Sequence, residues 1–277
     1  MATVYKLTNT SEESMGGMTW GAAVSHSASG SSTQALCSDG WIHVYESAVL
    51  AVMLNPIHVA LPAYHIWQST GTIGKRKQQV KAGCTSLTTD TLIANPTVTN
   101  THRIKFGILS AQELCHVVTW LEWAEAWLAN TDRTEESALA IARTMQTMAT
   151  AALATALESL EVATAVDTDA AALGRRARER HSSGALEPSL ADAVTAVLAA
   201  AAVASTAAEI ARCNRAKQLL TDAGTMVSAF NAARAAIQTD NDALALCAAR
   251  AAAACGDAAD ARGLTIDFVA IGAAAVL

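Results

Sequence analysis

The sequence predicts an α+β protein. A small, mostly antiparallel sheet domain is expected over residues 1–130, followed by an alanine-rich all-α bundle over residues 131–277. Three observations carry this expectation. Ten of the twelve aromatic residues lie between positions 1 and 127, with only Phe230 and Phe268 beyond. The last 144 residues are one-third alanine, the best helix former. Charge divides the same way: residues 1–110 carry seven Lys/Arg against five Asp/Glu, whereas residues 111–277 carry twelve against twenty.

Taken in order, Val4–Leu7 reads as an opening strand, and residues 8–18 as a polar, Gly-containing loop. The small residues at Gly21–Ala23 and Ser27–Ser32 suit irregular backbone around Trp20 and His26. Residues 41–45 alternate Trp41, His43 and Tyr45 with Ile42 and Val44, a strand pattern. Ser47–Leu54 is helical in character and is expected to stop before Pro56, with Asn55 pushed towards extended backbone. Residues 64–70 and 79–87 read as strands joined by a basic turn at Gly74–Lys77. Asn95-Pro96 marks a turn, and Thr97–Phe106 a further strand or lead-in.

Ser110 and Glu113 have capping-box spacing, so a helix is expected from there to about Leu128. On it Trp120, Trp123 and Trp127 share one face. That face could serve a partner, but core packing is the commoner use of such a stripe. A helix is expected over about 135–165, with Ile141, Met145, Met148 and Ala152 in one seam and Leu153, Leu157 and Leu160 in another. Residues 167–188, with Arg175, Arg176, Arg178 and Arg180, read as a polar break and a solvated loop or helix end. Pro188 suits a first helical turn, giving a helix to about Leu220, then helices over about 222–238 and 241–255, the last capped by Gly256. Alanine seams gain less than leucine seams per helix, so self-association through the helical region is expected.

Composition narrows the function. A net charge of −6 without a dense basic face argues against nucleic acid as a partner. The N-terminal stretch has no apolar run of a signal peptide. The apolar run Leu264–Leu277 spans 14 residues, too short for a bilayer. These features fit a cytoplasmic protein. The six cysteines are scattered through apolar surroundings, as expected of reduced, buried thiols.

No GxSxG, P-loop or GxGxxG motif is present. His43, His58 and His65 lack paired metal-ligand spacing, so neither metal nor cofactor is expected. Cys37 with His43 or His26 is a conceivable nucleophile and base, but a buried inert cysteine is commoner. The residue types that suit a small-ligand pocket are concentrated in Trp20, His26, Trp41, His43, Tyr45, Asn55 and His58. These seven are expected to converge on one concavity. The equal alternative is a packed core in which the histidines satisfy backbone groups.

A string of motifs carries a resemblance. Thr19-Trp20-Gly21, Val24 through His26 to Gly30, Leu36-Cys37-Ser38, Gly40 through Tyr45, and Leu54-Asn55-Pro56-Ile57-His58 stand in this order. Lys81, Gly83-Cys84, Leu87, Pro96 and Arg103 through Ile108 continue it. The chain thereby resembles a domain family of bacteriophage and bacterial genomes whose members often carry an alanine-rich helical tail. The resemblance implies a phage or prophage origin and a portable N-terminal domain, and implies no reaction. Similar chains have an acidic residue near the tryptophan strand, where this chain reads His65-Ile66-Trp67-Gln68. The functional expectation is a non-enzymatic binding protein, phage-encoded, acting on a host factor or signalling molecule, with a small molecule or host protein as partner. The alternative is a nucleotide-using enzyme, because GWIHVYESAVLA is similar to the strand-then-helix of ADP-ribosyltransferase-like folds.

Overall fold

The computed structural model describes residues 1–31, 33–36, 38–77, 80–163, 168–182, 186–204 and 207–277. Five strands form one antiparallel sheet: β1 (Ala2–Thr8), β2 (Val24–Ser27), β3 (Ile42–Val44), β4 (His65–Lys77) and β5 (Lys81–Ile93). β4 and β5 form the long central hairpin, and β1 pairs with the outer edge of β4. β2 and β3 share the other edge of β5, opposite residues 86–89 and 82–84 respectively. The sheet curls until β3 meets β1 again, where Tyr5 and Tyr45 exchange two backbone hydrogen bonds of 2.8 and 2.9 Å. Alternation then divides inside from outside. Val4, Ile42, Val44, Ala82, Cys84 and Leu87 fill the interior, with Trp20 packed among them. Leu7, Tyr45 and Ile66 pack against the helices. Gly71 is required at the interior turn of β4, because a Cβ there would lie 2.9 Å from both Cys84 Sγ and Leu87 Cδ1.

Several elements depart from expectation. The segment after Gly21 is not wholly irregular, since Val24–Ser27 pairs with β5 as β2. The basic residues 74–77 are not a turn but the end of β4, in register with Lys81–Gly83 and entered through a bulge at Ile73/Lys75. Helix α1 (Ala48–His58) runs through Pro56. A proline in the last turn forfeits only the bond to the carbonyl of Val52, and Arg103 Nη1 donates to that oxygen at 3.4 Å. Residues 100–112 form α2 (Asn100–Gln112) rather than a strand. Its capping box is Thr99 with His102, and Ser110 lies inside it, donating to Phe106 O at 2.7 Å. The next helix, α3 (Val118–Leu128), therefore starts later than Ser110.

Beyond residue 130 the described chain is helical: α4 (Glu135–Ala163), α5 (Thr168–Ser182), α6 (Leu186–Val203), α7 (Ala207–Ile237), α8 (Asn241–Arg262) and α9 (Phe268–Ala275). Of the two readings of the arginine segment, the loop gives way to the helix end, since Arg175–Arg180 lie in the last half of α5. α6 stops at Val203 instead of running to Leu220, and α7 passes unbroken through Thr221. Gly256 lies mid-helix in α8, and the cap is Gly263, whose φ of 68° is the left-handed geometry glycine supplies. Trp120, Trp123 and Trp127 are buried against α4 and α7, and Trp120 Nε1 donates to Ala229 O at 3.1 Å. Ile141, Met145, Leu153 and Leu157 are buried on α4, whereas the side chain of Leu160 lies outside the described part.

Packing crosses residue 130 in the sheet cluster as well as in the tryptophan cluster. Phe268, Ile271 and Ala275 of α9 and Ala252 and Cys255 of α8 join the cluster of α1 and the sheet. One side of the apolar C-terminal run is thus covered by its own chain, with Gly272 against Leu50, while Leu264, Val269 and Leu277 stay exposed. The five described cysteines are all buried and unbonded to one another. Among the described residues no helix is long and apolar enough to cross a membrane.

Candidate functional site

The seven residues expected to converge divide into separate internal groups. Trp41 lies in a slot walled by glycine backbone. A Cβ on Gly30 would come within 2.6 Å of its indole, and one on Gly74 within 2.5 Å. Beside it, His43 Nε2 donates to the carbonyl of Leu36. Burial lowers the His43 pKa, and Lys81 and Lys6 add to this against the raising effect of the Leu36 bond. Tyr45 packs against α1, its hydroxyl sharing a 3.1 Å hydrogen bond with His58 Nδ1 and its ring stacked on the imidazole at 5.7 Å. Burial pushes the Tyr45 phenol pKa well up, so the hydroxyl stays protonated.

Trp20 and His26 meet edge to face at 4.7 Å, and His26 Nε2 donates to Thr19 O at 2.8 Å. Asn55 stands apart from all of these. Its side-chain amide donates to Leu61 O at 2.9 Å and its side-chain oxygen accepts from Leu61 N at 3.1 Å, fastening the exit of α1. Each histidine of the seven thus meets a partner within the fold, and Asn55 is occupied at both ends. Cys37 lies outside the described residues.

Two polar features of this domain escape sequence reasoning. Lys6 is buried, with Nζ donating to His43 O at 3.1 Å and lying 5.4 Å from the Trp20 ring. Burial, with the charge of Lys81, lowers its pKa to about 8. The second is Glu12, which accepts from Trp67 Nε1 and His65 Nδ1, both at 2.6 Å, and from Thr8 Oγ1 at 3.2 Å. The carboxylate beside the tryptophan strand therefore comes from a loop 55 residues away in sequence. Partial burial raises the Glu12 pKa, but the bonds from Trp67, His65 and Thr8 more than offset this and hold it below the usual carboxylate range. Its φ of 61° is the left-handed region that non-glycine residues avoid. Nothing local in the sequence marks either residue, since both acquire their partners through long-range folding. Among the described residues no group of three or more His, Cys, Asp or Glu could hold a metal.

A cavity opens in the helical region. It is a groove of about 580 Å³ between α6, α7 and α8, and none of the seven residues lines it. Leu190, Val194, Val197 and Leu198 of α6 form one wall, at the i, i+4, i+7, i+8 spacing of an amphipathic face. Leu220, Gly224 and Val227 of α7 and Ala254, Ala258 and Ala261 of α8 form the rest. The small residues leave the space: Gly224 sits near Ala258 and Leu190, at 3.7 and 3.9 Å from its Cβ position. Val194 and Leu198, neighbours on that one wall, remain 40% and 57% exposed.

The stripe on α6 was readable in the sequence. Its groove was not, because α6 and the start of α7 read as one helix, and the hairpin between them creates the cleft. No protein-family model, curated protein or solved structure matches the chain.

Proposed function

We propose that this chain is a non-enzymatic binding protein whose ligand site is the α6–α8 groove. One observation carries the reading: an apolar cleft of about 580 Å³, within the size range of ligand sites, with leucine and valine left exposed along its wall. The aromatic and histidine residues of the sheet domain support the same reading indirectly. The polar groups of His43, His26, Asn55, Tyr45 and His58 meet internal partners at Leu36, Thr19 and Leu61 and between Tyr45 and His58, which fits a scaffold better than a reaction centre. In this reading the protein is phage-encoded, works in the cytoplasm of its host, takes up a host molecule and self-associates through its helices.

The test is binding of N-phenyl-1-naphthylamine, an uncharged dye that fluoresces in apolar sites. Saturable one-to-one binding is expected. The double variant Val194→Asp/Leu198→Asp places two charges on exposed groove positions and should abolish it, whereas His43→Ala should bind like the wild type. Dye binding lost in His43→Ala and kept in the double variant would move the site to the sheet domain.

A further inference from the structure

The two ends of the groove differ, and the difference identifies what it holds. α7 and α8 run antiparallel along it. Gly224 faces Ala258, and Ser228 Oγ donates to Ala251 O. Lys217 of α7 therefore lies at the end marked by Ala261, while Asn231 lies at the end marked by Arg250. Three charged residues line the groove: Lys217, Arg250 and Asp257. Arg250 and Asp257 already interact within the protein. Among the described residues, nothing forms an ion pair or hydrogen bond with the Lys217 ammonium, which sits exposed at the mouth.

The dimensions restrict the occupant. From Lys217 to Asn231 the α7 wall spans 14 residues, about 21 Å at the helical rise. The length and apolar lining of the groove suit a single extended hydrocarbon chain laid along α7.

Resting on the reading of this groove as the ligand site, we infer that it holds a free long-chain carboxylate, with the carboxylate at Lys217 and the chain running towards Asn231. The apolar walls desolvate the chain, each buried methylene contributing about 0.8 kcal/mol. The exposed ammonium adds selectivity for an anionic head rather than most of the affinity, because solvent-exposed ion pairs contribute about 0.2–1 kcal/mol.

The experiment is displacement of N-phenyl-1-naphthylamine by three compounds of equal chain length, each below its aggregation concentration: hexadecanoate, hexadecan-1-ol and hexadecyltrimethylammonium. Hexadecanoate is expected to displace the dye at a lower concentration than the alcohol, by about 1.4- to fivefold, the range such an ion pair supplies. Lys217→Arg should keep that preference. Lys217→Glu should remove it and favour the ammonium compound, each read against the alcohol on the same variant. Lys217 is exposed, so both variants should fold, and circular dichroism checks that they do.

Equal displacement by alcohol and carboxylate would overturn the head-group assignment and leave the groove reading standing. Dye binding that survives Val194→Asp/Leu198→Asp would overturn the groove reading itself. Displacement by an apolar helical peptide more effective than hexadecanoate, or Lys217-dependent sedimentation with phosphatidylglycerol vesicles, would replace the free carboxylate with a protein or a membrane.

Discussion

The curled sheet and the α6–α8 hairpin invite opposite readings from sequence and from structure. The sheet domain holds nearly all the chemically versatile residues, yet its histidines and Asn55 are spent on internal bonds and its Trp41 on glycine backbone. The hairpin holds alanine, leucine and valine and looks featureless, yet it keeps a cavity open beside Lys217, whose ammonium no described residue pairs. Residue types suited to a pocket are equally suited to cementing a curved sheet, where buried polar groups must find partners. A cavity arises instead where side chains are too small to close the gap between helices, which is the geometry alanine and Gly224 provide.

Four substitutions can break or sharpen this contrast. The largest effect is expected at Trp41. Trp41→Ala empties the slot between Gly30, Gly74 and Gly83 and should lower stability to urea by about 3–5 kcal/mol, without altering dye binding by the folded fraction. An unchanged denaturation midpoint would mean that the slot is not core.

Lys6→Met comes next and acts in the opposite direction. The folded-state pKa of Lys6 is lowered to about 8 from 10.5, so below pH 8 the fold bears a charged ammonium that the unfolded chain solvates better. Stability of the wild type should rise between about pH 8 and 10.5, where the unfolded state binds the extra proton. The variant should lack that rise and gain roughly 3 kcal/mol at pH 7. Parallel pH profiles for the two proteins would contradict the buried-cation assignment.

Asn55→Ala should cost about 1–3 kcal/mol, because the Leu61 N–H and C=O both lose a partner. This reverses what the sequence suggests, namely that Asn55 is freed by Pro56 to meet a ligand. Unchanged stability with loss of dye binding in this variant would make Asn55 a ligand residue and contradict its role in fastening the exit of α1.

Glu12→Gln should have the smallest effect, a fall in melting temperature of about 2–4 °C. The folded pKa of Glu12 is depressed, so its contribution is complete above the ordinary value of 4.5 and disappears as pH falls through the lower folded value. Melting curves of the two proteins should therefore converge in acid. A gap that widens in acid would show that the carboxylate is not stabilised by Trp67 and His65.

The α+β class, the opening strand and the long helix at 135–163 were legible because composition and period report them directly. Boundaries failed where tertiary contacts override local signals. Arg103 satisfies the carbonyl that Pro56 abandons, Thr99 outcompetes Ser110 as a cap, and Gly263 outcompetes Gly256. The strand face carrying Trp41, His43 and Tyr45 was also legible, but the three different segments that cover it were not. Of the groove, the sequence shows only the stripe Leu190, Val194, Val197 and Leu198, since the opposing walls come from helices that meet by folding.

The most direct test of the central claim is native mass spectrometry of the wild type, His43→Ala and Leu198→Asp, purified side by side from the same cells. The wild type and His43→Ala should each retain a small-molecule adduct of one per chain, and Leu198→Asp should carry none. An adduct kept by Leu198→Asp and lost from His43→Ala would place the ligand in the sheet domain and contradict the assignment of the groove.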